Sequence, residues 1–174
     1  MTSESPDWRE STALSPDDRN GAVFSPDRKY RYRLSRTWDA QGDTLAFIML
    51  NPSTADETAN DPTVTRCIGY AKDWGYGSLL VGNIFGARET DPSNLRDYDD
   101  PVGPENNTHL EEIHDTASKT IVAWGTHGAL HDREDEVKQL LDGDLFALNI
   151  TQDGHPAHPL YQRKDVTLDS WPAD

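Results

Sequence analysis

The sequence predicts a three-layer α/β/α fold, in which a four-stranded parallel sheet carries helices on both faces and follows an N-terminal β-hairpin. Four short apolar runs point to it: LAFIML (45–50), SLLVGNIF (78–85), TIVAW (120–124) and LFALNI (145–150), with helix-like segments between them. They are too apolar for strands with one wet face, and strands covered on both faces read this way. Their alternation with helices calls for right-handed crossovers between parallel neighbours.

The elements follow in order. Residues 1–20 are rich in Ser, Pro and Asp without an apolar period, so they read as a flexible acidic arm with Trp8 as its candidate anchor. Between 22 and 38, AVFS, the turn SPDRK and YRYRLSRTW make a hairpin signature, with Tyr30, Tyr32 and Leu34 alternating with Arg31, Arg33 and Ser35. A first helix starts at Asp61-Pro62, a capping residue followed by proline at the first helical position. It carries Val64, Cys67, Ile68 and Ala71 on one face and ends near Trp74-Gly75. A second spans about 108–117 with Leu110, Ile113 and Ala117 inward, and a third about 129–141 with Val137, Leu140 and Leu141 inward. Residues 21–165 then form one α/β domain and 166–174 a short C-terminal tail.

A chain of 174 residues suits one core and buries roughly two thirds of its unfolded surface. The formal charge of -15 comes from 31 acidic against 16 basic residues, and only five of the latter are lysine. Such a surface repels itself in dilute buffer, whereas in molar salt the Debye length falls to about 3 Å, so halophilic adaptation is the expectation. Five tryptophans and six tyrosines argue against an acidic disordered chain. The single Cys67 can form no intrachain disulfide and no multi-cysteine metal site, and reads as a small apolar core residue. No run approaches the length of a membrane span and the polar N-terminus is unlike a signal peptide, so a cytoplasmic protein is expected, with the sequons at Asn106 and Asn149 chance matches.

In open α/β sheets ligands bind beyond the carboxyl ends of the strands, so the residues after each apolar run are the candidates. The first run leads to Asn51-Pro52-Ser53-Thr54-Ala55-Asp56, the second ends around Asn83, the third leads to Gly125-Thr126-His127-Gly128, and the fourth to a loop ending His155-Pro156-Ala157-His158-Pro159-Leu160-Tyr161. The Asn83 carboxamide offers a donor and an acceptor that complement a pyrimidine edge; ordinary bonding to a neighbouring backbone is the alternative. Asn51 can hold a water or cap a turn. Asp56 and Asp61 can activate water or bind a cation, while for Asp61 a helix cap before Pro62 is the simpler reading. His155 and His158 sit in a proline-fixed loop that can present imidazole to a developing anion or a phosphate. His127 and His131 have the i, i+4 spacing of two imidazoles on one helical face, which with a His-Pro histidine would make a metal site. The glutamate of HExxH is missing, and no metal is assigned. Gly125 to Gly128, just before a helix, can cradle a phosphate.

The stretches FIMLNPSTAD, DPTVTRCIGYAKDWGYG, VGNIFGARETDP, PVGPEN, AWGTHG and GHPAHPLY, within about residues 22–162, resemble the domain of unknown function 1643 family, a likeness that implies kinship without mechanism. A more distant likeness lies in the order of motifs: a first strand leading to Asn-Pro, a second containing Asn, and a last leading to His-Pro-x-x-Pro-Leu. That order is similar to the uracil-DNA glycosylase superfamily. The resemblance implies that Asn51 positions a water, flanked by Pro52 and Ser53, that Asn83 reads the base, and that His155 or His158 stabilises the departing base. It further implies that Leu160 or Tyr161 wedges the duplex, with Arg163 and Lys164 near the phosphates. The base-stacking aromatic is open among Trp74, Phe85 and Tyr161, and no cofactor is called for.

Three functions compete. One is a glycosylase-like enzyme acting on a base in nucleic acid or a nucleotide; another is a non-catalytic module binding nucleotides or modified nucleic acid; the third is a metal-dependent hydrolase built on His127, His131 and a His-Pro imidazole, His155 or His158. The negative charge decides little between them, because in molar salt phosphate contacts lose most of their weight and stacking and base-edge contacts carry binding.

Overall fold

The computed structural model describes residues 11–12, 20–56 and 59–172. Its strands are β1 (Ser11–Thr12), β2 (Gly21–Phe24), β3 (Arg31–Thr37), β4 (Thr44–Met49), β5 (Ser78–Asn83), β6 (Lys119–Val122), β7 (Leu145–Ala147) and β8 (Asp169–Trp171). They form one mixed sheet in the order β1-β2-β3-β5-β4-β6-β7-β8. The four apolar runs are its centre: β4 pairs in parallel with β5 on one side and β6 on the other, and β6 pairs in parallel with β7. The expected four-stranded parallel sheet is thus corrected to eight strands, because antiparallel strands cover both of its edges. The 22–38 hairpin docks through β3 on β5, with Leu34 opposite Val81, and β8 pairs with β7, with Trp171 opposite Leu145. These additions also amend the expected ends. Ser11–Thr12 of the arm pairs with β2, and the tail supplies β8 with Trp171 buried; Trp8 lies outside the described residues.

Helix α1 (Pro62–Asp73) begins where local chemistry requires, since Asp61 Oδ1 accepts the Val64 N–H at 2.8 Å and Pro62 needs no partner for a missing donor. It buries Val64, Cys67, Tyr70 and Ala71 on one face of the sheet against Phe47, Leu79, Val81 and Ile121. On the opposite face α2 (Asn106–Thr116) and α3 (Arg133–Leu140) bring Leu110 and Val137 against Ile48, Val122 and Trp124, with Ile113 of α2 also buried. Successive residues such as Phe47 and Ile48 point to opposite layers, as a pleated strand demands, and each such side chain contributes about 1.5–3 kcal/mol by leaving water. Gly82 lets α2 sit directly on β5, since a Cβ there would lie 2.8 Å from Ile113 and 2.9 Å from Leu110. Among the described residues no helix is long and apolar enough to cross a membrane.

The third helix differs most from expectation. The 129–141 segment is split into a 3₁₀ stretch, Thr126–Asp132, and α3, because Leu130 is extended (φ -56°, ψ 127°) and His131 and Asp132 are left-handed (φ 55° and 56°). His127 and His131 therefore share no helical face, and the metal-hydrolase reading loses its geometric premise.

One buried histidine makes the fold pH-sensitive. His109 of α2 stacks on Tyr32 at 5.0 Å between ring centres, and its Nδ1 accepts the Arg33 Nε–H at 3.0 Å. Burial first, then the Arg33 charge, lower its pKa to about 4, with Glu112 opposing. The folded value lies below that of the unfolded chain, so the unfolded state gains protons first as pH falls. This stability is complete above about pH 6.5 and drains towards pH 4, by about 2–3 kcal/mol. Urea unfolding at pH 7 and 4.5 should show a loss of that size that is absent from the difference in His109→Gln. Equal losses in both proteins would remove His109 from the pH response.

Candidate functional site

The chain leaves β4 towards α1 on one face of the sheet and leaves β6 towards α3 on the other. Adjacent strands whose exits diverge open a crevice at their carboxyl ends. A cleft of about 450 Å³ lies there, walled by residues that follow β4, β5 and β6 and by the 158–161 segment. Asn51, Pro52, Ser53, Asn83 and His158 all line it, as do Thr126, His127, Leu160 and Tyr161.

Asn83, the last residue of β5, is 1% exposed. Its Oδ1 accepts a hydrogen bond from Arg31 Nη2 at 3.3 Å, which fixes which end of the amide is oxygen, and its Nδ2 has no partner among the described residues. A buried donor left unsatisfied costs about 1–3 kcal/mol, so it is a position at which a ligand acceptor gains affinity. Arg31, at the start of β3, was not marked out by the sequence. It is 2% exposed, donates from Nη1 to the Ala55 carbonyl at 2.9 Å and lines the same cleft. Burial lowers its pKa to about 10, with Asp61 the largest opposing influence.

Asn51 serves the loop as well as the cleft. Its Nδ2 donates to the carbonyls of Glu89 (2.6 Å) and Pro52 (3.1 Å), which leaves Oδ1 as the end that can accept from a water or ligand. Asp61 lines the cleft, but Oδ1 caps α1 and Oδ2 faces the Ala55 N–H at 3.4 Å. Glu89, also missed in the sequence, lines the cleft with Oε2 held by the Asp91 N–H and Asn94. Asp56 is turned to its own loop, accepting the Ala59 N–H at 2.9 Å.

The two His-Pro histidines part company. His158 lines the cleft and caps a short 3₁₀ turn, Pro159–Tyr161, with Nδ1 accepting the Leu160 N–H at 3.2 Å. Its pKa is lowered, chiefly by burial and against the pull of Asp61. The imidazole is therefore neutral near pH 7 with its proton on Nε2, a donor. His155 instead holds Glu134 Oε1 through Nδ1 at 2.8 Å, and the same oxygen accepts Trp124 Nε1 at 2.7 Å. Its imidazole is part of the scaffold behind Trp124 and does not line the cleft. Leu160 and Tyr161 stand at the rim as exposed apolar side chains, 42% and 83% exposed, with the Tyr161 ring 5.6 Å from His158.

Other expected ligand residues lie elsewhere or are otherwise engaged. Phe85 is wholly buried with Leu110 and Trp124, because β5 ends at Asn83 and the chain turns into the opposite core. Trp74 stacks on Tyr70 at the far end of α1. Gly125 lines the cleft, but its N–H donates to the Pro156 carbonyl at 2.7 Å, and the Gly128 N–H returns to the Gly125 carbonyl, so these two donors of the supposed phosphate cradle are taken up by the loop. Gly128 is a packing position, since a Cβ there would lie 2.2 Å from the Trp124 ring. Arg163 pairs with Asp165 at 3.0 Å on the surface, and Lys164 borders a separate groove along α1. Among the described residues no three His, Cys, Asp or Glu side chains stand together as a ligand set for a metal ion.

The fold and cleft define an α/β protein with a crevice at the switch point of its parallel strands. Its sequence matches the family model described as protein of unknown function (DUF1643) over residues 31–160, and the chain belongs to that family. No curated protein and no solved structure matches it.

Proposed function

We propose that the cleft takes a nucleobase, free or within a nucleotide or nucleic acid, and that the protein hydrolyses an N-glycosidic bond to it. The observation that carries this reading is the buried Asn83 amide, whose oxygen is engaged by Arg31 and whose nitrogen is an unpartnered donor in a cleft shared with His158. Such a donor suits a base carbonyl, and a neutral imidazole with Nε2–H suits negative charge that grows on the departing base. Asn51 Oδ1 would orient the attacking water, and Leu160 or Tyr161 at the rim would hold a strand open. The likeness of motif order to the uracil-DNA glycosylase superfamily supports the same roles. The acidic surface fits work in a salt-rich cytoplasm, where stacking outweighs phosphate contacts.

A second reading, a non-catalytic base-binding module, is favoured by one observation. Of the two carboxylates of the cleft, Asp61 accepts backbone N–H groups on both oxygens and Glu89 accepts one on Oε2, which weakens each as a base towards water. Titration in molar KCl with free bases, nucleosides and oligonucleotides containing uracil or hypoxanthine separates the two: binding with base release is the enzyme, binding without release the module. Binding of none of them removes the nucleobase. Asn83→Asp keeps the shape and replaces the donor by an acceptor, so affinity for the bound base should fall by roughly tenfold or more with the fold intact. Unchanged affinity would take Asn83 out of recognition.

A further inference from the structure

We propose that the deep end of the cleft is an anion site in which Arg31 supplies the counter-charge, so that the ligand presents to Asn83 and Arg31 an edge that only accepts hydrogen bonds and carries negative charge. The inference deepens the nucleobase reading, under which that edge is the ionised imide of an acidic base.

A guanidinium has five N–H donors in a fixed fork. Arg31 gives one to the Ala55 carbonyl and one to Asn83 Oδ1, and its buried Nε has no partner among the described residues. No carboxylate pairs with it among the described residues. Of the charges acting on it, Asp61, the strongest, and Asp56 favour its ionised form, while Arg88 and Arg36 oppose it. Both Asp61 oxygens already face backbone N–H groups, and Asp56 accepts one from Ala59. A cation buried without a paired carboxylate costs free energy, which an anion bound beside it offsets. A buried guanidinium with a spare donor at a cleft wall suits an anion that enters the cleft. The two orphaned donors, Arg31 Nε and Asn83 Nδ2, belong to side chains joined by a hydrogen bond and lining one cavity. Two donors and one positive charge, with the nearest acceptor already engaged, select an anionic acceptor edge over a neutral one that also donates.

The test is calorimetric titration of the whole protein in molar KCl with three probes. These are uracil, 5-nitrouracil at a pH where it is ionised and uracil is not, and inorganic phosphate as an anion without a base. Wild type should prefer the 5-nitrouracil anion to uracil by about tenfold or more. Arg31→Met should lose that preference, with affinity for the anion falling about thirtyfold or more, as when one partner of a buried charge contact is truncated. Arg31→Lys, which keeps the charge and loses the fork, should fall between them. An unchanged melting temperature in Arg31→Met shows that the loss is of binding and not of fold. The comparison of probes on wild type needs no variant, so it decides even where Arg31→Met does not fold. Uracil bound as tightly as the anion, or an anion preference that survives in Arg31→Met, overturns the anion site and leaves the nucleobase reading standing. Phosphate bound in an Arg31-dependent way, with neither base bound, keeps the anion site and removes the nucleobase. No binding of any probe overturns both.

Discussion

His158→Ala should lower turnover on a base-releasing substrate by roughly 10²–10³, the cost of removing one fixed donor from a developing anion, while affinity for the free base changes far less. The difference arises because Nε2–H meets little charge in the ground state and most in the transition state. His155→Ala is the internal comparison. Its imidazole binds Glu134 outside the cleft, so its removal should leave turnover within a few-fold and lower stability instead, by about 1–3 kcal/mol for the broken contact. Single-turnover base release and thermal melts on both variants measure these effects. Equal losses of binding and turnover in His158→Ala, or a collapse of turnover in His155→Ala alone, would reassign the histidine.

Salt should govern whether the chain is folded at all. With 31 acidic residues against 16 basic, carboxylates outnumber the cations able to neutralise them, and α3 opens with Glu134, Asp135 and Glu136 in its first turn. The exposed pairs that exist, such as Arg163 with Asp165 and Lys138 with Asp135, are of a kind worth about 1 kcal/mol or less. Molar KCl screens the repulsion over about 3 Å, which should raise the melting temperature by roughly 10 °C or more from dilute buffer, several kcal/mol for a domain of this size. A melting temperature that stays flat across that range would remove the halophilic reading. Sucrose at matched osmolality separates screening from general exclusion.

Physical range decides what was legible in the residues. The central strands were readable because strands covered on both faces must be apolar throughout, and α1 because Asp61-Pro62 acts over three residues. β1 and β8 were not, since strands of two and three residues carry no period and are strands only by pairing with distant partners. The break at His131 and Asp132 was hidden because left-handed backbone at non-glycine residues has no local signature. In the site, Asn51, Asn83 and His158 could be named from the rule that strand ends face ligands. Which of two histidines in the same loop does so depends on Glu134 of α3, a choice made by packing. Arg31 escaped because nothing in the Tyr-Arg alternation of β3 separates it from Arg33. What buries it is the loop around Ala55, 24 residues away.

Arg31 and Asn83 are 52 residues apart in the chain, and their hydrogen bond ties the N-terminal hairpin to the floor of the cleft. The cleft is therefore assembled across a sheet seam, where β3 meets β5, and does not come preformed with the parallel core. Folding that completed the central strands first would leave a compact but binding-incompetent species until the hairpin docked. Any fluctuation that unzipped β3 from β5 would likewise erase the floor while leaving most of the sheet in place. Amide hydrogen exchange at Leu34 to Thr37 is thus a direct measure of how long the site exists as a site, and a ligand that engages Arg31 should slow it more than exchange in β6.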